Sequence, residues 1–82
     1  MWLRELVPSL VEGEYHWHKH EADEEFFYVV EGPFRIDLEG RTIELRPCQG
    51  FVVRKGVLHR TRAPQRTLIL MFGNAGIIPT GD

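Results

Sequence analysis

Short apolar segments separated by glycine and proline recur along the whole chain, and none of them continues with a helical period. Segments 26–30 and 51–53 are rich in aromatic and β-branched residues, which favour strands. Segment 34–38 alternates strictly, with apolar residues on one face and charged residues on the other. This pattern predicts short strands joined by tight turns.

Further strands are predicted on both sides of these segments. Residues 34–45 predict a hairpin, because the alternation resumes after a glycine turn. The continuous apolar run 67–72 is typical of a strand buried on both faces. The first ten residues predict another strand, which Pro8 keeps at an edge, and the glycine-rich tail 73–82 predicts irregular structure. We expect about eight short strands and no helix, in one domain over residues 1–82 with a barrel or jelly-roll architecture.

Composition and charge exclude several classes of protein. Ten Lys and Arg residues oppose twelve Asp and Glu residues, so the basic face expected of a nucleic-acid binder is lacking. The longest apolar run is far shorter than the ~18 residues that a membrane span requires. The amino end lacks the pattern of a secretory signal, and the lone thiol of Cys48 favours a reducing compartment. We therefore expect a cytoplasmic protein without nucleic-acid or membrane partners.

The small size of the chain bears on its stability. A chain of 82 residues buries roughly 60–65% of the surface that its unfolded form exposes. Domains of this size usually gain stability from disulfides, a metal ion or a partner chain. Since a single cysteine excludes an internal disulfide, we expect a metal ion or a second copy of the chain.

Three of the four histidines occupy alternate positions, at His16, His18 and His20. Residues two apart in a strand share a face at about 6.6 Å, and two imidazoles at this spacing can lean toward one metal ion. Glu25 follows His20 by five residues, and His59 lies far along the chain. Imidazole and carboxylate ligands suit zinc, iron, manganese, nickel, cobalt or copper.

Each of these residues also has a simpler interpretation when it is taken alone. A single histidine such as His59 is usually a surface residue or a hydrogen-bonded core residue. Glu24 and Glu25 belong to an acidic segment that is typical of a solvated loop, and His16 is equally suited to the wall of a barrel. The joint spacing of histidines and carboxylate is much rarer than its parts, and it favours a metal site.

The joint pattern resembles the first motif of the cupin superfamily, which reads His-x-His, three or four residues, Glu, six residues and Gly. Here it runs from His18 through His20 and Glu25 to Gly32, and the six-residue count selects Glu25 over Glu24. More narrowly, the chain resembles small one-domain bacterial cupins of the mannose-6-phosphate-isomerase-like, cupin 2 conserved-barrel type.

The second cupin motif reads Gly, five residues, Pro, one residue, Gly, two residues, His, three residues and Asn. Gly56 and His59 match this motif, whereas Cys48, Arg54 and Ala63 replace the first glycine, the proline and the asparagine. The resemblance therefore retains the histidine that binds the metal in the family, and it departs at two positions before this histidine and one after it.

The resemblance implies an all-β, small jelly-roll barrel that lacks one or two amino-terminal strands. It implies a divalent metal ion held by His18, His20, Glu25 and His59, and a homodimer formed through terminal strands. It also implies an anionic or hydroxylated small-molecule ligand on the open coordination positions.

The sequence leaves the type of function open. One hypothesis is a metal-dependent protein that acts on a small molecule, and the other is a non-enzymatic ligand-binding or regulatory barrel with a structural metal. A degenerate site in which the histidines only pack is a third. For the first hypothesis we predict an apolar wall from Phe27, Ile36, Phe51 and Met71, and polar contacts from Tyr28 or Arg54.

Overall fold

A computed structural model describes residues 4–74 of the chain, which form strands and connecting turns. There are six strands in this range: β1 (Arg4–Glu14), β2 (Glu25–Glu31), β3 (Phe34–Leu38), β4 (Arg41–Leu45), β5 (Gly50–Val53) and β6 (His59–Asn74). The described residues include no helix that is long and apolar enough to cross a membrane.

The long strand β6 organises the sheet, which curls into a half-barrel. One edge of β6 pairs with β1 along most of its length. The other edge pairs first with β3, at residues 59–62, and then with β2, at residues 68–72. β4 extends the sheet beyond β3, and β5 extends it beyond β2. All these pairings are antiparallel, and together they join every described strand into one sheet.

Most of the predicted strands are confirmed. The 34–45 hairpin is β3 and β4, paired in register from Phe34 with Leu45 to Leu38 with Arg41. The predicted first strand is β1, and Pro8 lies in it at an edge of the sheet. Of the predicted irregular tail, residues 73 and 74 belong to β6, and the remainder lies outside the described residues.

The expected number of about eight strands is wrong for residues 4–74, which form six. Ala63-Pro64, a pair that is typical of a turn between strands, is an irregularity within β6. The ladder with β1 passes from Gly13–Ala63 directly to Val11–Thr67, so three residues of β6 face one residue of β1. Such a bulge accommodates Pro64, since an unpaired bulge position does not need a backbone N–H donor. The chain therefore continues as one strand where the sequence pattern indicates two.

The inner face of the half-barrel carries the core. Alternate residues of the strands point inward, and the buried apolar side chains are Phe27, Val29, Phe34, Ile36, Leu45, Val53, Ala63, Ile69 and Met71. The same face also buries Glu25, at the start of β2, and His59, at the start of β6. Burying these polar side chains beside an apolar core is costly unless they acquire partners.

The outer face holds a charged cluster that joins three strands. Asp37 of β3 is buried and accepts hydrogen bonds from Arg60 Nε (2.7 Å), Arg62 Nη2 (2.9 Å) and Thr42 Oγ1 (2.7 Å). Burial by itself would raise the pKa of Asp37, but the hydrogen bonds from Arg62, Thr42 and Arg60 outweigh it and hold this pKa below its ordinary value. The cluster keeps Arg60 and Arg62 of β6 on the outer face.

Candidate metal centre

Backbone pairing places His18 beside His59. The N–H of His18 donates to the carbonyl of His59 at 2.8 Å, and the N–H of His59 donates to the carbonyl of His18 at 2.9 Å. Both side chains are buried, and their ring centroids lie 4.4 Å apart. Two histidines separated by 41 positions in the sequence thus become direct neighbours on the inner face.

Glu25 completes a tight group with these two histidines. It opens β2, opposite Val53 of β5, and is only 2% exposed. One ligand atom from each of His18, Glu25 and His59 lies within 4.8 Å of the other two. Glu24, the alternative carboxylate, has a side chain that is 45% exposed and lies 3.5 Å from Arg54. The structure therefore places Glu25, as the motif count predicts, in the group.

Hydrogen bonds orient both buried imidazoles. Nδ1 of His18 lies 2.8 Å from the carbonyl oxygen of His16, and Nδ1 of His59 lies 2.9 Å from that of Val57. A carbonyl oxygen only accepts, so each Nδ1 carries the proton and each Nε2 presents a lone pair. Both Nε2 atoms are buried and make no hydrogen bond within the described part of the chain. This is the arrangement that a metal-ligating histidine needs.

His20 lies next to the group rather than in its tightest part. Its Nε2 is 3.2 Å from Oε1 of Glu25, and its ring centroid is 5.5 Å from that of His18. The N–H of Gly56 donates to the carbonyl of His20 at 2.8 Å, in a turn where Gly56 has a positive φ of 77°. A residue with a Cβ is strained there, so glycine suits the contact that anchors the His20 segment. His16, the remaining histidine, is exposed.

The electrostatics of the group favour a cation. Burial raises the pKa of the Glu25 carboxyl to about 7. Burial also lowers the pKa of His59; the hydrogen bond to Val57 opposes this lowering without cancelling it, and the charges of His18 and His20 add smaller lowerings. The main cause of both pKa shifts is the same, namely the cost of holding a charge in a buried site from which water is excluded. A divalent ion would compensate the carboxylate and use the neutral imidazoles as donors.

The raised pKa of Glu25 predicts how the stability of the metal-free protein depends on pH. An unfolded-state pKa near 4.5 and a folded-state pKa of about 7 mean that Glu25 contributes stability below pH 4.5, and that this contribution is lost as pH rises through 7. Relative to a Glu25→Gln variant, the free energy of unfolding should fall over this range by on the order of 2 kcal/mol. Urea unfolding of both proteins at several pH values measures the difference, and a difference that is independent of pH contradicts the burial of an ionisable Glu25.

A cavity of about 370 Å³ lies on the inner face beside the group. Its lining residues come from β1, β2, β3, β6 and the segment after β1; they are Ser9, Leu10, Val11, Glu12, Gly13, Tyr15, Phe27, Phe34, Thr61, Ala63, Ile69 and Met71. Phe27 and Met71 were predicted for the apolar wall, and both line the cavity. Tyr15 and Thr61 were not predicted, because isolated hydroxyl residues carry no sequence signal.

The other residues predicted for the site lie elsewhere. Ile36 belongs to the buried core, and Phe51 packs against that core, but neither lines the cavity. The Arg54 side chain is 79% exposed and pairs with Glu24 outside the barrel. Tyr28 faces away from Glu25 on β2, and its side chain hydrogen-bonds with exposed Cys48, which raises the pKa of Tyr28. The prediction of a polar contact from Tyr28 or Arg54 is therefore wrong for this cavity.

Comparison with known proteins gives one family. The family model of the cupin domain matches residues 2–72. The uncharacterized protein YdbB of Bacillus subtilis (strain 168) is 41% identical over 59 residues, which are 71% of this chain and 52% of YdbB. The polyketide synthase CurC of Streptomyces cyaneus is 47% identical over 45 residues, which are 55% of this chain and 29% of CurC. The chain thus spans about half the length, or less, of these curated relatives.

Solved structures agree on the fold. A cupin-2 domain containing protein from Shewanella frigidimarina superimposes with a TM-score of 0.83 at 32% identity, over 84% of this chain and 68% of that protein. KdgF from Halomonas sp. gives a TM-score of 0.77 at 26% identity, over 87% of this chain and 68% of KdgF. The predicted all-β, jelly-roll fold class is confirmed.

Proposed function

The chain belongs to the cupin family, and on that premise we propose that it binds one divalent metal ion through His18, His20, Glu25 and His59 and presents this ion to a small molecule. One observation carries the proposal. The Nε2 atoms of His18 and His59 are buried without a hydrogen bond, and both lie close to the buried carboxylate of Glu25. Buried acceptor atoms without a partner are costly, and a bound metal ion would use both lone pairs.

The chain's own residues would prepare the ion for a ligand. The carbonyls of residues 16 and 57 fix the tautomers of His18 and His59, so that both imidazoles offer Nε2. Phe27, whose ring centroid is 6.3 Å from that of His59, keeps one side of the group apolar. Four protein donors leave positions open on an octahedral ion, which would supply Lewis-acid or redox chemistry to a bound molecule.

A non-enzymatic barrel with a structural metal is the second candidate function. The candidate ligands come from separate parts of the sheet, with Glu25 on β2, His59 on β6 and His18 and His20 on the segment between β1 and β2. An ion held there would cross-link these parts, as a small domain without disulfides needs.

Solvent-proton relaxation of the Mn²⁺-loaded protein separates the two functions. An ion with open positions exchanges bound water with the solvent and enhances the relaxation rate, whereas an ion closed by protein ligands does not. We expect enhancement with the parent protein, and we expect it to disappear for a His18→Ala, His59→Ala double variant after removal of unbound Mn²⁺. Stoichiometric Mn²⁺ without enhancement would favour the structural role.

We also propose that the chain forms a homodimer through β1. Among the described residues, β1 pairs with β6 alone, so its other edge presents unpaired backbone groups. Leu6, Val7 and Leu10 of the same strand are exposed. A second copy would pair this edge and cover these side chains, and a monomeric mass by light scattering would contradict the proposal.

A further inference from the structure

The cavity beside the candidate metal centre points to the chemical class of its ligand, an inference that rests on the proposed function and narrows it. We propose that the cavity holds a neutral, largely apolar organic body, such as an aromatic ring system, and that it rejects molecules with an anionic group at this end. The resemblance implied an anionic or hydroxylated ligand. We keep a hydroxyl group for the atom that faces the ion. For the rest of the molecule, which lies in the cavity, we replace the anionic group with a neutral body.

The cavity lies next to the metal group along the strands, and its lining residues are neighbours of the candidate ligands rather than the ligands themselves. Phe27 is the next inward residue after Glu25 on β2, and Thr61 is the next after His59 on β6. Consecutive inward positions lie about 6.6 Å apart. Tyr15, in the segment after β1, also lines the cavity. Its ring is oriented edge-on to that of His18, with 6.1 Å between the ring centroids. A molecule in the cavity would therefore lie about one inward residue along the strands from the ligands of the ion.

The described part of the lining is apolar apart from a few hydroxyl groups and one charged residue, Glu12. Two of its lining residues, Phe27 and Phe34, are almost fully buried, and their ring centroids lie 5.8 Å apart. Hydroxyl groups come from Ser9, Tyr15 and Thr61. The volume of about 370 Å³ is within the range of small-molecule sites, roughly 300–1,000 Å³. Aromatic walls with a few hydroxyls suit a flat organic molecule better than a polyol.

The cavity lacks a cationic side chain among the described residues. The alternation of inward and outward residues along β6 explains why. Among the described residues, no Lys, Arg or His lines it. On β6 the inward residues Thr61 and Ala63 alternate with Arg60 and Arg62, which point to the outer face and are held there by Asp37. The nearest arginines are thus directed away from the cavity by ion pairs.

The charge that does line the cavity is negative. Glu12, an exposed residue, is its one charged lining residue within the described chain, and Glu25 lies beyond Phe27. An anionic group placed among these side chains would lose its hydration without gaining a cation, which is costly. A neutral apolar body incurs no such cost and gains from burial against the two phenylalanines.

Two probes of nearly equal shape test the charge selectivity: 2-naphthol, which is uncharged near neutral pH, and 2-naphthoate, which is anionic. Titration calorimetry of the metal-free protein with each probe measures the cavity without the ion. We expect 2-naphthol to bind at least about tenfold more tightly than 2-naphthoate. Equal affinity, tighter binding of 2-naphthoate, or no binding of either probe would overturn the proposal.

Two substitutions test whether binding occurs in this cavity. Ala63→Phe fills the cavity and should abolish 2-naphthol binding, whereas Val52→Phe, which adds the same ring at an exposed position of β5, should leave it unchanged. Ser9→Lys, at a half-buried position of edge strand β1, introduces the missing cation and should shift the preference toward 2-naphthoate. Since Ser9→Lys adds no ring to the core, it tests the proposal even if Ala63→Phe fails to fold. An unchanged preference in Ser9→Lys would contradict it.

A final measurement connects the cavity with the ion and separates this inference from the proposed function. In the Mn²⁺-loaded protein, the proton NMR signals of bound 2-naphthol should broaden strongly, because the probe lies beside the ion. Stoichiometric metal without 2-naphthol binding would contradict the proposed ligand class but support the proposed metal site. Binding of 2-naphthol to a protein that takes up no metal would support the proposed ligand class but contradict the proposed metal site.

Discussion

Replacing His59 with alanine is expected to weaken Zn²⁺ binding at least about 100-fold. His59 is fully buried, and its Nε2 lies in the tight group with His18 and Glu25. Loss of an outer-shell partner of a metal ligand costs about 10–100-fold in affinity, and loss of the ligand itself costs at least as much. Competition titration with a chromophoric chelator, at a pH above the histidine range, measures the affinity.

His16→Ala is the matched control for this experiment. His16 is also a histidine of the His-x-His-x-His run, and it contacts His18 through its backbone carbonyl, which the substitution retains. Its side chain is exposed and does not belong to the tight group. We expect its affinity to stay close to that of the parent. Equal losses in His16→Ala and His59→Ala would contradict this geometry, because they would give the exposed His16 the same part in metal binding as the buried His59.

Replacing Asp37 with alanine is expected to lower the free energy of unfolding by about 3 kcal/mol. The substitution removes the acceptor for Arg60, Arg62 and Thr42 at once. The side-chain link from β3 to its two neighbours, β4 and β6, is then lost. Because both arginines remain partly exposed, the cost lies at the lower end of that for breaking a buried ion pair. Urea unfolding near neutral pH measures it.

Glu21→Ala serves as the control for Asp37→Ala. It removes a carboxylate that lies 3.1 Å from Lys19, but both side chains are largely exposed. An exposed pair contributes less than about 1 kcal/mol. The lowered pKa of Asp37 also means that its contribution is present near neutral pH and is lost in acid, as pH falls through the folded-state pKa. A loss as small as that of Glu21→Ala would refute the stabilising role of the cluster.

The strands could be predicted from the sequence where the alternation is local. The hairpin of β3 and β4 follows from residues 34–45 alone, because pattern and turn occur together. The continuity of β6 through Ala63-Pro64 could not be predicted, since it depends on a bulge opposite β1. The cluster around Asp37 was also missed. A charged residue on the outer face of a strand ordinarily indicates solvent, and the two arginines that bury Asp37 come from more than twenty positions away.

The candidate site could be predicted only in part, for similar reasons. The spacing of His18, His20 and Glu25 is a local signal, and the motif count selected the buried carboxylate. The position of His59 beside His18 depends on a long-range backbone pairing that no local pattern reveals. The cavity depends on which residues of β1 and β6 face inward past the bulge, so Tyr15 and Thr61 appear only in three dimensions.

Metal content by mass spectrometry, on protein purified without an affinity tag, tests the central claim most directly. The parent is compared with a variant that carries His18→Ala, His20→Ala and His59→Ala together. We predict close to one equivalent of a first-row transition metal or zinc in the parent and none in the variant, with a higher melting temperature for the loaded parent. No metal in either protein, and no change in the parent's melting temperature on addition of zinc, iron or manganese, would contradict a metal centre.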